Sequence, residues 1–152
     1  MSTPDHLRLD RQLCLSLYSA ANALIRAYGP LLRPLGLTYP QYLVMLALWE
    51  QDGVPVTDIC ARTRLDTGTV TPLVNRLAGK GLVTKTRAET DERVRLVSLT
   101  AEGAALRNRA QHVPIQMACL GILSAEQGAH MKGLSDLLYE GLARHERQAS
   151  GR

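Results

Sequence analysis

Apolar residues recur every three or four positions along most of this chain, the spacing that gathers side chains on one face of an α-helix, and the rhythm shortens to alternation near residue 83. From Leu7 to Tyr28 the positions Leu13, Leu17, Ala20, Ala21, Leu24 and Ile25 predict a long amphipathic first helix, which Gly29, Pro30, Pro34 and Gly36 then interrupt. A second helix is predicted from Pro40 to Gln51, with proline tolerated in its first turn and Gly53 placed to end it. Its run LVMLALW leaves little polar face and predicts burial on every side.

Residues 54–83 read as a short helix, a tight connection and another helix. Val56, Ile59 and Cys60 face inward in the first, and Val70, Leu73, Val74 and Leu77 in the second. Asp66 or Thr67 can cap the second helix; Pro72 inside it predicts either a kink or a later start, and Gly81 ends it. Residues 82–99 then predict two short β-strands around a polar loop at Ala88 to Glu92. A fifth helix opens at Thr100 and is disturbed at Pro114. The sixth starts at Ser124, with Gln127 completing a capping box and Met131, Leu134, Leu138 and Leu142 on one stripe.

A length of 152 residues fits one domain or one subunit of an oligomer. The longest apolar run, YLVMLALW, is too short to cross a bilayer, so the expected setting is the cytoplasm, with no membrane partner. Cys14, Cys60 and Cys119 are too widely and irregularly spaced for a disulfide framework. His6, His112, His130 and His145 have no metal-ligand spacing, and no phosphate-binding glycine loop or nucleophile elbow is present, so neither a metal nor a cofactor is expected.

The net charge of +4 has a location. Between Cys60 and Arg95 lie eight basic residues and four acidic ones, and the remaining ten of each sign cancel. Helix, turn, helix and basic hairpin together predict a winged helix-turn-helix over residues 54–99, with double-stranded DNA as partner. Thr67, Thr69 and Thr71 offer hydroxyls near the helix start, Arg76 can reach a phosphate or a guanine, and Arg93 and Arg95 supply wing cations, with Asp91 able to brace Arg93. Singly, such residues cap helices and solvate loops. The ordered set, holding all the surplus charge, favours DNA.

The segments LTYPQYLVMLALWEQDG, LDTGTVTPLVNRLAGKGLV and DERVRLVSLTAEG resemble the MarR family of bacterial regulators, and within it the organic-hydroperoxide-sensing repressors of the OhrR type. The similarity runs from Leu9 to about Gly121; Cys60 and Thr63 depart from it, standing where similar proteins usually have glycine and leucine. The resemblance implies a mainly helical subunit over residues 1–152 with six helices and a β-hairpin wing. It further implies an intertwined homodimer whose dimerisation helices are 7–36 and 100–147, bound to a palindromic operator. Long apolar terminal helices around a small central module point independently to a partner surface.

Four of the five tyrosines (Tyr18, Tyr28, Tyr39, Tyr42) fall in a window that begins four residues after Cys14, and the chain has no phenylalanine. A thiol attacks a peroxide as the thiolate, which phenol donors stabilise, and the product is a sulfenic acid. The resemblance implies that Cys14 senses organic hydroperoxides, that Tyr28 and Tyr39 of the partner subunit are its donors, and that Tyr18 lines the pocket. It also places Cys119 where related two-cysteine regulators carry the thiol that resolves the sulfenic acid across the dimer; simple packing of Cys119 in MACLGIL is the other reading. Cys60 is expected to be inert. Two further functions stay open: a repressor released by a non-covalent phenolic or lipophilic ligand, and a thiol peroxidase.

Overall fold

The computed structural model describes residues 4–87 and 94–151. It divides the chain into two units, Met1–Met117 and Ala118–Arg152.

In the first unit, two single 3₁₀ turns (Asp5–Leu7 and Leu9–Arg11) precede α1, Leu13–Leu32. The first helix therefore starts later than its apolar pattern predicts, and it runs through Gly29 and Pro30 instead of stopping there. Proline removes only one backbone bond. The real stop is one turn on, where Arg33–Leu35 tighten to 3₁₀ and Gly36 takes φ 68°. Leu37 N–H then bonds back to the Leu32 carbonyl at 3.2 Å, closing the end as a left-handed cap does.

Helix α2, Tyr39–Glu50, begins at a capping box: Thr38 accepts from the Gln41 backbone and Gln41 Oε1 accepts from Thr38 N–H. Tyr42, Val44, Met45, Ala47 and Leu48 are buried, so α2 is the central helix its sequence predicts. After it, β1 (Val54–Pro55), α3 (Val56–Thr63) and α4 (Thr67–Gly79) follow in quick succession. Strands β2 (Val83–Arg87) and β3 (Arg95–Leu99) pair antiparallel, Val83 opposite Leu99 and Arg87 opposite Arg95. Strand β1, absent from the sequence reading, adds to the other edge of β3 through Val54 and Val97. Two residues are too few to show a period, which is why the alternation signal missed it.

Helix α5, Ala101–Ala110, starts at Thr100, which accepts from Gly103 N–H at 3.0 Å. The disturbance expected at Pro114 appears at Gln111, after which α6, His112–Ala118, resumes the path. Pro114 cannot donate to the Ala110 carbonyl and its ring crowds that group, so the break falls just upstream. Counted as one interrupted element, α5 and α6 bring this unit to five α-helices beside a small antiparallel sheet among the described residues, and the helix of the second unit makes six. The core extends from Leu32 to Val113, and Gln41 is the one polar side chain buried with it among the described residues.

In the second unit a turn with Gly121 at φ 64° leads to α7, Ala125–Ser150, which opens at the predicted Ser124 and Gln127 capping box. None of its described residues is buried, and Met131, Leu134, Leu138 and Leu142 stand exposed on one stripe.

Candidate nucleic-acid interface and thiol site

The pair α3 and α4 is joined by Arg64 in the left-handed region at φ 61°, followed by Leu65 and the cap residue Asp66. Asp66 Oδ1 accepts from Thr69 N–H at 2.8 Å and its Oδ2 accepts from the Thr69 hydroxyl at 2.9 Å. These bonds hold the carboxyl below its usual range, the Thr69 hydroxyl first and the backbone amide second. Helix α4 thus starts where the cap predicts and carries Pro72 within it. The carbonyl left without a donor belongs to Gly68, on the exposed side.

Val70, Leu73, Val74 and Leu77 bury the inner face of α4, as predicted; Thr71, Pro72, Asn75 and Arg76 form the outer one. The three candidate threonines differ in their bonding. Thr67 accepts from Cys60 Sγ at 3.7 Å, Thr69 donates within the cap, and Thr71 lies exposed beside the groove between α4 and the sheet. Cys60 is half-buried, its thiol occupied between α3 and the first residue of α4. Arg95 is exposed at the start of β3. Asp91 and Arg93 lie outside the described residues.

Several bonds that fix this module escaped the sequence reading. Lys85 Nζ of β2 donates to Asn75 Oδ1 of α4 at 2.6 Å, joining wing to helix. Lys80, at the end of α4, donates to the Gly36 carbonyl at 2.5 Å and to Gln41 Oε1 at 2.9 Å. Asp52 Oδ1 accepts from Leu99 N–H at 2.7 Å and anchors the base of the sheet. Arg62 pairs with Glu50, so its charge is spent within the module. A lysine beside an asparagine ten residues away carries no periodic signal, so only the fold could reveal the pair.

The thiol candidates separate along the chain. Cys14 is exposed in the first turn of α1, and Tyr18, one turn later, is 72% exposed. Tyr28 and Tyr39 come together with ring centroids 5.0 Å apart, and Tyr42 adds a third ring 6.1 Å from Tyr28. Burial pushes the Tyr39 hydroxyl above the ordinary phenol value, and Tyr28 adds to the shift; Tyr42 moves the same way for the same main reason. The Tyr39 and Tyr42 phenols are thereby favoured in the protonated form, which is a hydrogen-bond donor. Fourteen helical steps separate Cys14 from Tyr28, about 21 Å along the axis, so within the chain the thiol and this tyrosine pair do not meet. Cys119 is exposed in the turn directly after α6.

A second hollow of about 480 Å³ opens between α2 and the α5–α6 bend, lined by Tyr42, Leu46, Trp49, Arg107, Gln111 and Pro114 among others. Among the described residues there is no cluster of metal-binding side chains and no helix long and apolar enough to cross a membrane.

A helix-turn-helix followed by a small antiparallel sheet defines a winged helix-turn-helix module. The sequence model of the SarA/Rot transcriptional regulators matches residues 26–109. The organic hydroperoxide resistance transcriptional regulator of Bacillus subtilis is 42% identical over 135 residues, covering 89% of this chain and 90% of the relative. Among solved structures, reduced AbfR bound to DNA superposes with a TM-score of 0.77 at 28% identity, covering 92% of this chain and 96% of that one. Disulfide-formed AbfR gives 0.62, also at 28% identity, over 88% and 95% of the two chains; the organism of AbfR is Staphylococcus epidermidis. The chain belongs to the MarR/SarA family of transcriptional regulators.

Proposed function

We infer that this protein is a cytoplasmic, homodimeric, DNA-binding repressor that releases a palindromic operator when Cys14 is oxidised by an organic hydroperoxide. The observation that carries this reading is the division of the thiol site along α1: an exposed cysteine near its start and, at its other end, Tyr28 with its ring against that of Tyr39. A two-fold copy laid antiparallel along α1 would bring Cys14 of one subunit to Tyr28 and Tyr39 of its partner. The large exposed apolar side chains support such a partner, because those among the described residues fall only within residues 7–25 and 115–142. Each leucine left in water there forgoes about 1.5–3 kcal/mol of burial, a cost that a second copy removes. The B. subtilis relative and the reduced and disulfide-formed AbfR structures are consistent with a redox trigger.

In the reaction the Cys14 thiolate attacks the outer peroxide oxygen. An S–O bond forms, the O–O bond breaks, sulfur loses two electrons, and the alkoxide leaves as alcohol after taking a proton. The thiol of Cys119 from the partner subunit then attacks the sulfenic acid, forming a disulfide and expelling water. Drawing residues 14 and 119 together across the dimer shifts the helices that carry the winged modules and spoils their half-site spacing. On the DNA side, the outer face of α4 enters the major groove, with Thr67, Thr69, Thr71 and Arg76 near the contact, while the wing with Asp91, Arg93 and Arg95 reaches the adjacent minor groove.

A mobility-shift assay with and without cumene hydroperoxide tests this. Wild type is expected to release the operator, Cys14→Ser to stay bound, and Cys119→Ser to respond without forming a dimer that survives non-reducing electrophoresis. Release of Cys14→Ser as readily as wild type would overturn the sensing assignment. The hollow beside Tyr42, Trp49 and Arg107 favours a second reading, in which a non-covalent phenolic or lipophilic ligand is the effector, with an aromatic acid as the probe; its volume lies in the range of small-molecule sites, about 300–1,000 Å³. Release by such an acid, with indifference to peroxide, would select that reading. Membership of a regulator family leaves the thiol-peroxidase alternative without support.

A further inference from the structure

The outer face of α4 holds a residue that the sequence reading passed over. Asn75 stands one helical turn after Thr71 on the exposed side, and its Oδ1 accepts the 2.6 Å hydrogen bond from Lys85 Nζ. An ammonium has only protons to give, so the contact fixes the amide's orientation: oxygen towards the wing, NH₂ away from it. Both residues border the groove between α4 and the sheet, in company with Thr71 and Arg95.

Resting on the DNA-binding reading above, we propose that Asn75, set by Lys85, determines specificity by selecting guanine at one base pair of each half-site. A carboxamide recognises adenine by using both its ends, donating to N7 while accepting from the N6 amine. Lys85 holds Oδ1 towards the wing, with one of its two lone pairs taken and a cation beside the other, so the groups the pair turns to a base are donors: the Asn75 NH₂ and the remaining ammonium protons. In the major groove guanine sets two acceptors, N7 and O6, side by side, whereas adenine places a donor next to its N7. Donors presented in this way fit guanine, whereas the N6 amine of adenine would have to approach an oxygen already bonded to a cation. Lys85 acts as a positioning residue here, because it decides which end of the asparagine faces the base.

The test is selection from a random duplex library by the full-length reduced protein at one fixed salt concentration, read by sequencing. Wild type is expected to enrich a palindrome with guanine at one symmetry-related position. Asn75→Ala should keep the rest of the palindrome and lose about tenfold of the preference at that position. Lys85→Met releases the carboxamide to turn, and the same position should move towards adenine. Lys85→Arg, which also only donates, should keep guanine. Retention of the other palindrome positions reports that each variant is folded. An unchanged motif for Lys85→Met, or an Asn75→Ala variant weakened equally at every position, overturns the inference and leaves the DNA-binding reading standing. Enrichment of no sequence by wild type overturns both.

Discussion

Gly103 shows how tightly the module is closed. A Cβ built there would lie 2.0 Å from the Leu82 carbonyl oxygen, and the Gly103 carbonyl accepts from Trp49 Nε1 at 2.9 Å. Only the absence of a side chain lets α5 approach the start of β2 so closely. Gly103→Ala is expected to cost about 1–3 kcal/mol, measured by urea unfolding, because backbone rather than a flexible side chain must move. Tyr39 gives a second prediction at this scale. Its raised hydroxyl pKa means that the stability linked to the protonated phenol is present below the ordinary phenol range and is lost as pH rises through the higher folded value. Thermal unfolding across alkaline pH should therefore show a midpoint that falls more steeply for wild type than for Tyr39→Phe. On the proposed sensing mechanism, the same variant should bind operator when reduced and respond more slowly in the peroxide assay.

At the scale of elements, the polar caps carried most of the legible information. Asp66, Thr100 and Ser124, which the sequence marks as helix starts, each cap a helix by accepting from the third residue on, and so does Thr38, which the sequence analysis did not single out. The Asp66 carboxylate, held below its usual range, adds stability above the unfolded carboxyl value that is lost as pH falls through the lower folded one. Asp66→Ala should lower the unfolding midpoint at neutral pH, and the difference from wild type should shrink in acid; differential scanning calorimetry at the two pH values checks this. Proline was the less reliable guide. Pro30 and Pro72 both sit inside helices, since one missing bond costs less than the burial of Leu32, or of Val70, Leu73, Val74 and Leu77, returns. The inward face of α4 was readable from period alone, whereas the Lys85 to Asn75 and Lys80 to Gln41 bonds join elements that sequence spacing does not connect.

For the whole molecule, burial and apolar composition part company at the two ends of the chain. Leu13, Leu17, Leu24 and Ile25 of α1 and Leu134, Leu137, Leu138 and Leu142 of α7 follow helical periodicity as faithfully as the core does, yet all are exposed in the subunit. Periodicity marks a face that needs covering without saying which chain covers it; the residues of the proposed sensing site came from the family resemblance, and the contact of Tyr28 with Tyr39 from the fold. The homodimer reading predicts that Leu17→Glu combined with Leu134→Glu yields a monomer by sedimentation, with the core from Leu32 to Val113 still unfolding cooperatively. Operator affinity should fall by about a hundredfold or more once the two reading heads are no longer joined.

Gln41 is the one polar side chain admitted to the core among the described residues, and its oxygen answers both the Thr38 amide and the Lys80 ammonium. The connector before α2 and the C-terminal end of α4 are thereby moored to a single atom. Inserting or deleting a residue between Arg33 and Thr38 would strand a cation at the far end of α4, so the length of that short connector is set by the helix it never touches in sequence.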